Sequence, residues 1–553
     1  MTDSPEKSSF VRLNTLLTEV SLDRARSGGR VIYVDLMHDN VHYQMRSLVI
    51  GRAMAHLLGL PLVGLVGNPG VVRRSAYLAP KDVDLPLIRS FGVRRIIRVP
   101  QSLTGDLASQ QTAEALRKVI GDRVEGEVVP AGAVEALKSI RDGAVHLGRF
   151  LHGTVLRSNL MPELIGGALL EAAIDDFAEL DQWLCRQFLD QPPAVFITGH
   201  ADYAPWGLAL ERAIAAGAVG VHFQVDVRIP LYLLRRNEPT LTLHGQMRKA
   251  DALAFGRFQQ RVGRSRAAGR FAAARHRRAY DLSKNWRWVG ATEVAPPSWP
   301  FKEGLPCVCL FTQTFTDQPS SDESVFVDYL EWVEATLDHA ATHGGYNLLI
   351  KVHPADGMFD LAFSIDRLEA AYAGYSNIAF VRDQIPHAEL ASRCALGLTV
   401  RGTPGLEMVA EGLPMLLAGK GTYSDVGLVP VASDAKDYFA HIERAISMPR
   451  KRTRRGAARM FMAWHRMLSS PTSGFLGPFD ISPLDDAFWE RAVSGIHATT
   501  VETDELTRTL ARGWRQGLDQ AAVRLSAASL DDLVDRWADE PAATGSTTGH
   551  PDA

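Results

Sequence analysis

The chain has 553 residues, 46% of them hydrophobic and 22% charged, with a formal net charge of -3. That composition supplies apolar residues for two sizeable cores, which excludes a disordered or fibrous chain, and the near-neutral balance gives no global reason to expect nucleic acid or an acidic partner. Four scattered cysteines, Cys185, Cys307, Cys309 and Cys394, lack zinc-knuckle spacing and read as reduced, buried thiols of a cytoplasmic protein.

The start, Met1-Thr2-Asp3-Ser4-Pro5-Glu6-Lys7, is polar, and no uninterrupted apolar run of about eighteen residues follows, so the sequence predicts neither a signal peptide nor a membrane span. Arg30 to Leu36 is β-branched and apolar, the pattern of a strand buried on both faces, and Gln44 to Leu58 after it has helical periodicity. Pro61 to Val66, Arg94 to Val99, Ala194 to Thr198 and Gly220 to Val225 read as further strands. Gly166 to Leu189 and Pro205 to Ala216 read as helices between them. Asp251 to Tyr280 reads as one long Arg-rich helix, ended by Pro296, Pro297 and Pro300.

The alternation then restarts. Strands are expected at Cys307 to Thr312, Asn347 to Val352, Ile378 to Val381, Leu396 to Val400 and Met415 to Ala418. Helices are expected at Ser324 to Thr342, Ile365 to Tyr372, His387 to Arg393 and Leu406 to Glu411. The fold class is therefore α/β, with two doubly wound units. The division expected is 1–295, 296–445 and a helical extension 446–553, whose last residues from Glu540 form a Pro/Gly/Thr/Ser tail unable to pack a core.

The chemistry gathers where strands end. Lys351-Val352-His353-Pro354 places an imidazole at a strand terminus, where proline stops the ladder and the ring can donate to a phosphate oxygen. The plain alternative is a strand-end histidine that only caps backbone carbonyls. In Arg401-Gly402-Thr403-Pro404-Gly405-Leu406-Glu407, Thr403 reads as an N-cap and Pro404 as the first helical residue. Gly402 and Gly405 let backbone approach a ligand, and Arg401 adds a guanidinium to the helix-start amides. Glu407 either offsets the helix dipole or accepts from ribose hydroxyls. Gly419-Lys420-Gly421-Thr422-Tyr423-Ser424 opens on the same sheet edge. The expectation is one hollow shared by His353, Arg401 and these amides.

These three segments, with Gly412-Leu413-Pro414, resemble the C-terminal half of GT-B glycosyltransferases of bacterial surface polysaccharide synthesis over about residues 307–427. The nearest families are the capsule-type Kdo transferases and the His-Pro-motif sialyl- and polysialyltransferases. The resemblance implies a fold of two Rossmann-like domains facing a central cleft. It also implies a CMP-linked sugar donor held by His353 and Thr403, without a metal or other cofactor. Where those families often carry a Ser-Ser or Ser-Thr pair, this chain has Arg401-Gly402-Thr403. A sugar-nucleotide epimerase, a glycerophosphate transferase and a non-catalytic scaffold of a glycan-assembly complex share features of this reading.

A transferase also needs a group to activate the acceptor hydroxyl. Asp202 or Asp39 is the expected base, with His200 or His42 positioning it, since both segments follow strands of the first unit. Short polar turns carry such residues for structural reasons as well. His38, Asp39 and His42 could bracket a metal, but none is expected. Finally, Arg257 to Arg287 holds ten basic residues against the single acid Asp281, with Trp286 and Trp288 at its end, and Arg450-Lys451-Arg452 with Arg454-Arg455 forms a second cluster. The first cluster suits either a solvated helix face or docking on an anionic inner-membrane surface, where a glycolipid acceptor would be met. No nucleic-acid module accompanies the charge.

Overall fold

A computed structural model describes residues 29–38, 41–67, 88–89, 91–100, 105–121, 123–224, 229–235, 241–263, 266–281, 299–301, 304–320, 323–382, 385–448, 453–476, 494, 499–500 and 502–517. Outside these fall Asp39, Trp286, Trp288, the Arg450-Lys451-Arg452 run, the 540–553 tail and the 282–298 segment that holds the expected domain boundary.

Runs of apolar residues without alternation suit strands covered on both sides, and two sheets gather them. The first has strands β1 (Val31–Asp35), β2 (Leu62–Val66), β3 (Val93–Arg98), β4 (Pro193–Thr198), β5 (Val219–Phe223) and β6 (Leu231–Leu234), in the order β3-β2-β1-β4-β5-β6. All neighbours are parallel except β6, which runs against β5 at the edge. The second has β7 (Cys307–Phe311), β8 (Asn347–Lys351), β9 (Ile378–Val381), β10 (Cys394–Thr399) and β11 (Met415–Leu417), all parallel, in the order β11-β10-β7-β8-β9. This is the α/β layout of two Rossmann-like units expected from the sequence.

Helix α1 (Val41–Leu58) covers one face of the first sheet. The other face takes α2 (Leu107–Ile120), α3 (Ala131–Ser139), α4 (Leu147–Asn159), α5 (Ala168–Asp190) and α6 (Leu208–Ala215). The helix expected over Pro205 to Ala216 starts later, after a wide turn at Tyr203–Gly207. Gly207 lies so close to Ala201 and Phe150 that a Cβ there would sit 2.4 Å from each.

The single Arg-rich helix expected over Asp251 to Tyr280 is two. Thr242 caps α7 (Leu243–Val262), Gly263 ends it at φ +55, and α8 (Arg266–Asp281) follows. Helix α7 belongs to both cores: Leu243 and Met247 pack in the first, Phe255 and Phe258 in the second.

In the second unit α9 (Tyr329–His343), α10 (Ser364–Ala371), α11 (His387–Arg393), α12 (Pro404–Glu411) and α13 (Ala435–Ser447) flank the sheet. Helix α9 begins at Tyr329 rather than at Ser324, because Asp328 accepts the Glu331 amide at 2.8 Å and the Glu331 side chain accepts the Val327 amide at 2.6 Å, a reciprocal cap. Helix α14 (Arg455–Ala463) packs on α8 and α12. The chain then returns, placing Phe475 and Leu476, and Leu506 and Leu510 of α15 (Glu505–Arg515), against α1 in the first core. Among the described residues no helix is long and apolar enough to cross a membrane.

Candidate functional site

In an open parallel sheet, loops at the strands' carboxyl ends part where the strand order reverses, and a crevice opens there. The first sheet reverses between β1 and β4, and the second between β7 and β10.

At the first reversal Asp35 closes the floor. Its carboxylate accepts the Thr198 hydroxyl at 2.6 Å and the Met37 amide at 2.8 Å, while burial pushes its carboxyl up to about 6. Above it the rings of His38, Tyr43, His200 and Trp206 stack, His38 on Tyr43 at 4.2 Å and His200 on Trp206 at 4.8 Å between centroids. Burial, then the neighbouring His38, pushes His200 down to about 3, so at neutral pH it is an uncharged ring in the stack. His42 is pushed down to about 4 by burial and by Arg46. Asp202 stands apart from this pile, with its Oδ1 2.9 Å from Nε2 of His244. Of the expected acid–base group, Asp39 lies outside the described residues and Asp202 alone borders the pocket described below.

At the second reversal, β7 has β8 on one side and β10 on the other, so the loop 312–320 must run between the His353 turn and the Arg401 turn. It touches both. The Thr312 hydroxyl accepts the His353 amide at 2.7 Å, and Arg401 donates to the Gln318 carbonyl at 2.5 Å and to its side-chain oxygen at 3.2 Å. A Cβ on Gly402 would come within 3.4 Å of Gln313 Nε2.

The Nδ1 of His353 accepts the Ala355 amide at 3.1 Å, so the ring does cap its turn, but by accepting an amide rather than by donating to a carbonyl. It also fixes the tautomer: the neutral ring carries its proton on Nε2. Burial, then Lys351, pushes this histidine down to about 4 and keeps it neutral. Lys351 itself is half-buried, with Nζ 3.4 Å from the Val352 carbonyl, and Pro354 is exposed.

Thr403 holds the expected N-cap position with Pro404 as the first helical residue, but its backbone is already helical and its side chain makes no cap hydrogen bond; its carbonyl accepts the Leu406 and Glu407 amides. Its side chain is exposed on the sheet edge. Gly405 is required by Tyr423: the phenol donates to the Gly402 carbonyl at 2.5 Å, and a Cβ at 405 would sit 2.1 Å from the phenol oxygen. Glu407 is buried, 3.7 Å from Nδ1 of His387. Ser424 accepts the Gly421 amide at 2.7 Å, Lys420 pairs with Glu323 at 2.6 Å, and Thr422 is half-buried between them. Tyr423, Ser424 and Lys420 thus have structural partners that the sequence did not disclose.

The same 312–320 loop reaches the first unit. Tyr203 accepts the Gln318 amide at 2.6 Å, Ser320 Oγ lies 2.5 Å from Nδ1 of His152, and Arg149 donates to the Ser320 carbonyl at 3.3 Å. Between this loop, α4 and the start of α7 lies a small, half-open pocket lined by Asp202, His244, His146, Glu211 and Arg149 among others. Sequence reasoning missed the last four. They are far apart along the chain and fit no motif, and His146 opens a helix that the periodicity did not reveal.

Residues 276–463 match the model of a family described as Capsule polysaccharide biosynthesis protein. The matched segment contains all three turns that carried the resemblance. Comparison with curated proteins finds no match. Among solved structures the chain is similar to KpsC, a beta Kdo 2,4 transferase of Thermosulfurimonas dismutans, at 17% identity over 49% of this chain and 79% of that one, with TM-score 0.30. It is similar to UDP-GlcNAc 2-epimerase from Neisseria meningitidis at 8% identity over 78% and 94%, with TM-score 0.24. It is also similar to the glycosyltransferase SnogD from Streptomyces nogalater at 13% identity over 78% and 95%, with TM-score 0.21.

Proposed function

We propose that the chain is a glycosyltransferase of capsular or related surface polysaccharide synthesis. It moves a sugar from a nucleotide-activated donor, CMP-linked, to a hydroxyl of a growing glycan or glycolipid. The observation that carries this reading is the family match over residues 276–463, which spans the His353, Arg401 and Lys420 turns and the loop 312–320 they border.

The donor phosphate lies against the start of α12. The exposed Thr403 side chain and the positive end of the helix dipole there favour an anion, and the Nε2 proton of His353 is the neutral donor beside it. Arg401 acts from behind, holding the Gln318 carbonyl and adding positive field without surrendering its guanidinium. As the bond to the anomeric carbon breaks, negative charge grows on the phosphate, and these fixed donors stabilise it without reorganising. The acceptor enters from the side of the first unit, at the pocket bordered by Asp202. A glycolipid acceptor places the work at the inner face of a membrane, and the basic residues of segment 257–287 supply attraction to an anionic surface.

The test is a thermal-shift panel of CMP-, UDP-, GDP- and CDP-linked sugars, since a ligand bound only by the fold stabilises it by about 2.7 kcal/mol at a hundredfold excess over Kd. A CMP-linked donor is expected to raise Tm, and nucleotide release is expected to require a glycan acceptor. Release of an altered sugar nucleotide without acceptor identifies an epimerase instead. No response to any of the four classes overturns the reading.

A further inference from the structure

The pocket beside Asp202 holds a second carboxylate and histidine pair, and it is the better built of the two. Glu211 of α6 accepts the backbone amide of His146 at 2.7 Å and lies 3.0 Å from its ring Nδ1. His146 is 2% exposed and Glu211 8%. With the Nδ1 proton committed to the carboxylate, the neutral ring keeps a lone pair on Nε2. That buried atom has no hydrogen-bond partner among the described residues. Buried polar atoms are rarely left so unless something else supplies the partner.

The lining of the same space bears on what that partner could be. Arg149 also faces the pocket, and its buried Nε has no hydrogen-bond partner among the described residues. Asp202 and His244 face it from the other side, and Phe150 and Tyr203 give it aromatic walls. A small hollow that offers a lone-pair nitrogen and an N–H donor beside carboxylates and aromatic faces fits a single hydroxyl, which both donates and accepts.

Resting on the transferase reading, we propose that this pocket admits the attacking hydroxyl of the acceptor sugar and that His146 takes its proton, with Glu211 as its positioning residue. In the step, the acceptor O–H bond breaks and its proton passes to His146 Nε2. The oxygen pair so released forms the new bond to the donor's anomeric carbon. The bond from that carbon to the phosphate oxygen breaks, and its electron pair leaves with the phosphate. Glu211 balances the imidazolium charge. Asp202, the base expected from the sequence, has an oxygen already engaged by His244.

The experiment uses the full chain, the four classes of nucleotide sugar and a capsular oligosaccharide acceptor. His146→Ala is expected to lower kcat by about 10² to 10⁴ while leaving donor KM within about twofold, and added imidazole is expected to restore at least about tenfold. Glu211→Gln is expected to lower kcat by about ten- to a hundredfold, again without moving donor KM. His146→Gln serves where the alanine variant fails to fold, because its amide can still bond Glu211. Wild-type turnover within about threefold in the His146 variant, or a loss that imidazole does not restore, overturns this proposal alone. A wild-type protein that binds none of the donors overturns it together with the transferase reading.

Discussion

The phenolic oxygen of Tyr203 accepts the backbone amide of Gln318 at 2.6 Å, and this hydrogen bond joins the crevices of the two sheets. Tyr203 leaves the β4 turn with φ +61, a conformation a non-glycine residue keeps only where its surroundings hold it. Burial keeps its hydroxyl protonated, 3.3 Å from the Thr316 carbonyl and from Asp317, so the phenol both accepts and donates across the junction. Through Gln318 the contact continues to Arg401, whose guanidinium holds the carbonyl of the same residue.

Tyr203→Phe therefore strands a part-buried amide while changing little volume. The expected cost is about 1–3 kcal/mol, the range for a donor left unsatisfied. It is read as a lower urea midpoint with an unchanged slope. A midpoint equal to the wild type would show that the junction does not depend on this bond.

His353 and Arg401 are both assigned to the donor side, yet their substitutions are expected to differ. His353→Asn keeps a side-chain acceptor for the Ala355 amide but removes the proton-bearing Nε2, so donor affinity falls by about 1–3 kcal/mol with little change in Tm. Arg401→Ala removes a guanidinium that also supports Gln318, so affinity and Tm fall together. Calorimetry with a CMP-linked sugar and thermal melts of both variants separate the two. Full affinity in both would remove these residues from the site.

Gly405 and Tyr423 form a testable pair. Gly405→Ala places a methyl 2.1 Å from the Tyr423 oxygen and 3.0 Å from Leu417, so the tyrosine must move and release the Gly402 carbonyl. Removing the hydroxyl by Tyr423→Phe takes away the nearer obstacle. The double variant is thus expected to be less unstable than the sum of the singles, by about 0.5–3 kcal/mol of coupling in a double-mutant cycle. Additive losses would mean that the two residues do not meet.

The strands of the second unit were legible because their apolar runs have no other use: Ile378–Val381 lies where expected, and β7, β8 and β11 fall short of it by one residue at an end. Helices α2, α3 and α4 were not seen, and α4 shows why. Gly148 lies in its first turn, where a Cβ would come 1.7 Å from the Leu137 carbonyl, so close packing on α3 demands a residue that weakens the helical pattern. The His353 and Arg401 turns were readable as strand ends. The loop between them was not, since its place follows from β7 lying between β8 and β10, a fact of sheet order. His146 and Glu211 are 65 residues apart, and only the packing of α4 on the turn before α6 brings them together.

The histidines of the first crevice set an acid limit on stability. His200 is pushed down to about 3 and His222 likewise to about 3, burial being the main cause in each, whereas an unfolded histidine binds its proton near 6.5. From about pH 6.5 down to about 3 the unfolded chain therefore binds more protons, and stability from these rings, complete above 6.5, is lost as pH falls. Asp35 works in the opposite sense. Held up to about 6, it keeps its proton in the fold, so its contribution is complete at low pH and lost as pH rises through 6. His38, His222 and Arg157 disfavour a charge on His200 while Asp202 favours one, and burial outweighs them all. Replacing His200 with Phe keeps a ring in the stack with Trp206 and Tyr43 and removes one titrating group. Between pH 6 and 5 the variant's stability is expected to fall less steeply than the wild type's, by at most about 1.4 kcal/mol per pH unit, the equivalent of one proton. Urea unfolding at those two values measures the difference. Parallel slopes would show that His200 titrates alike in the folded and unfolded chain, which an imidazole enclosed between Trp206 and His38 does not permit.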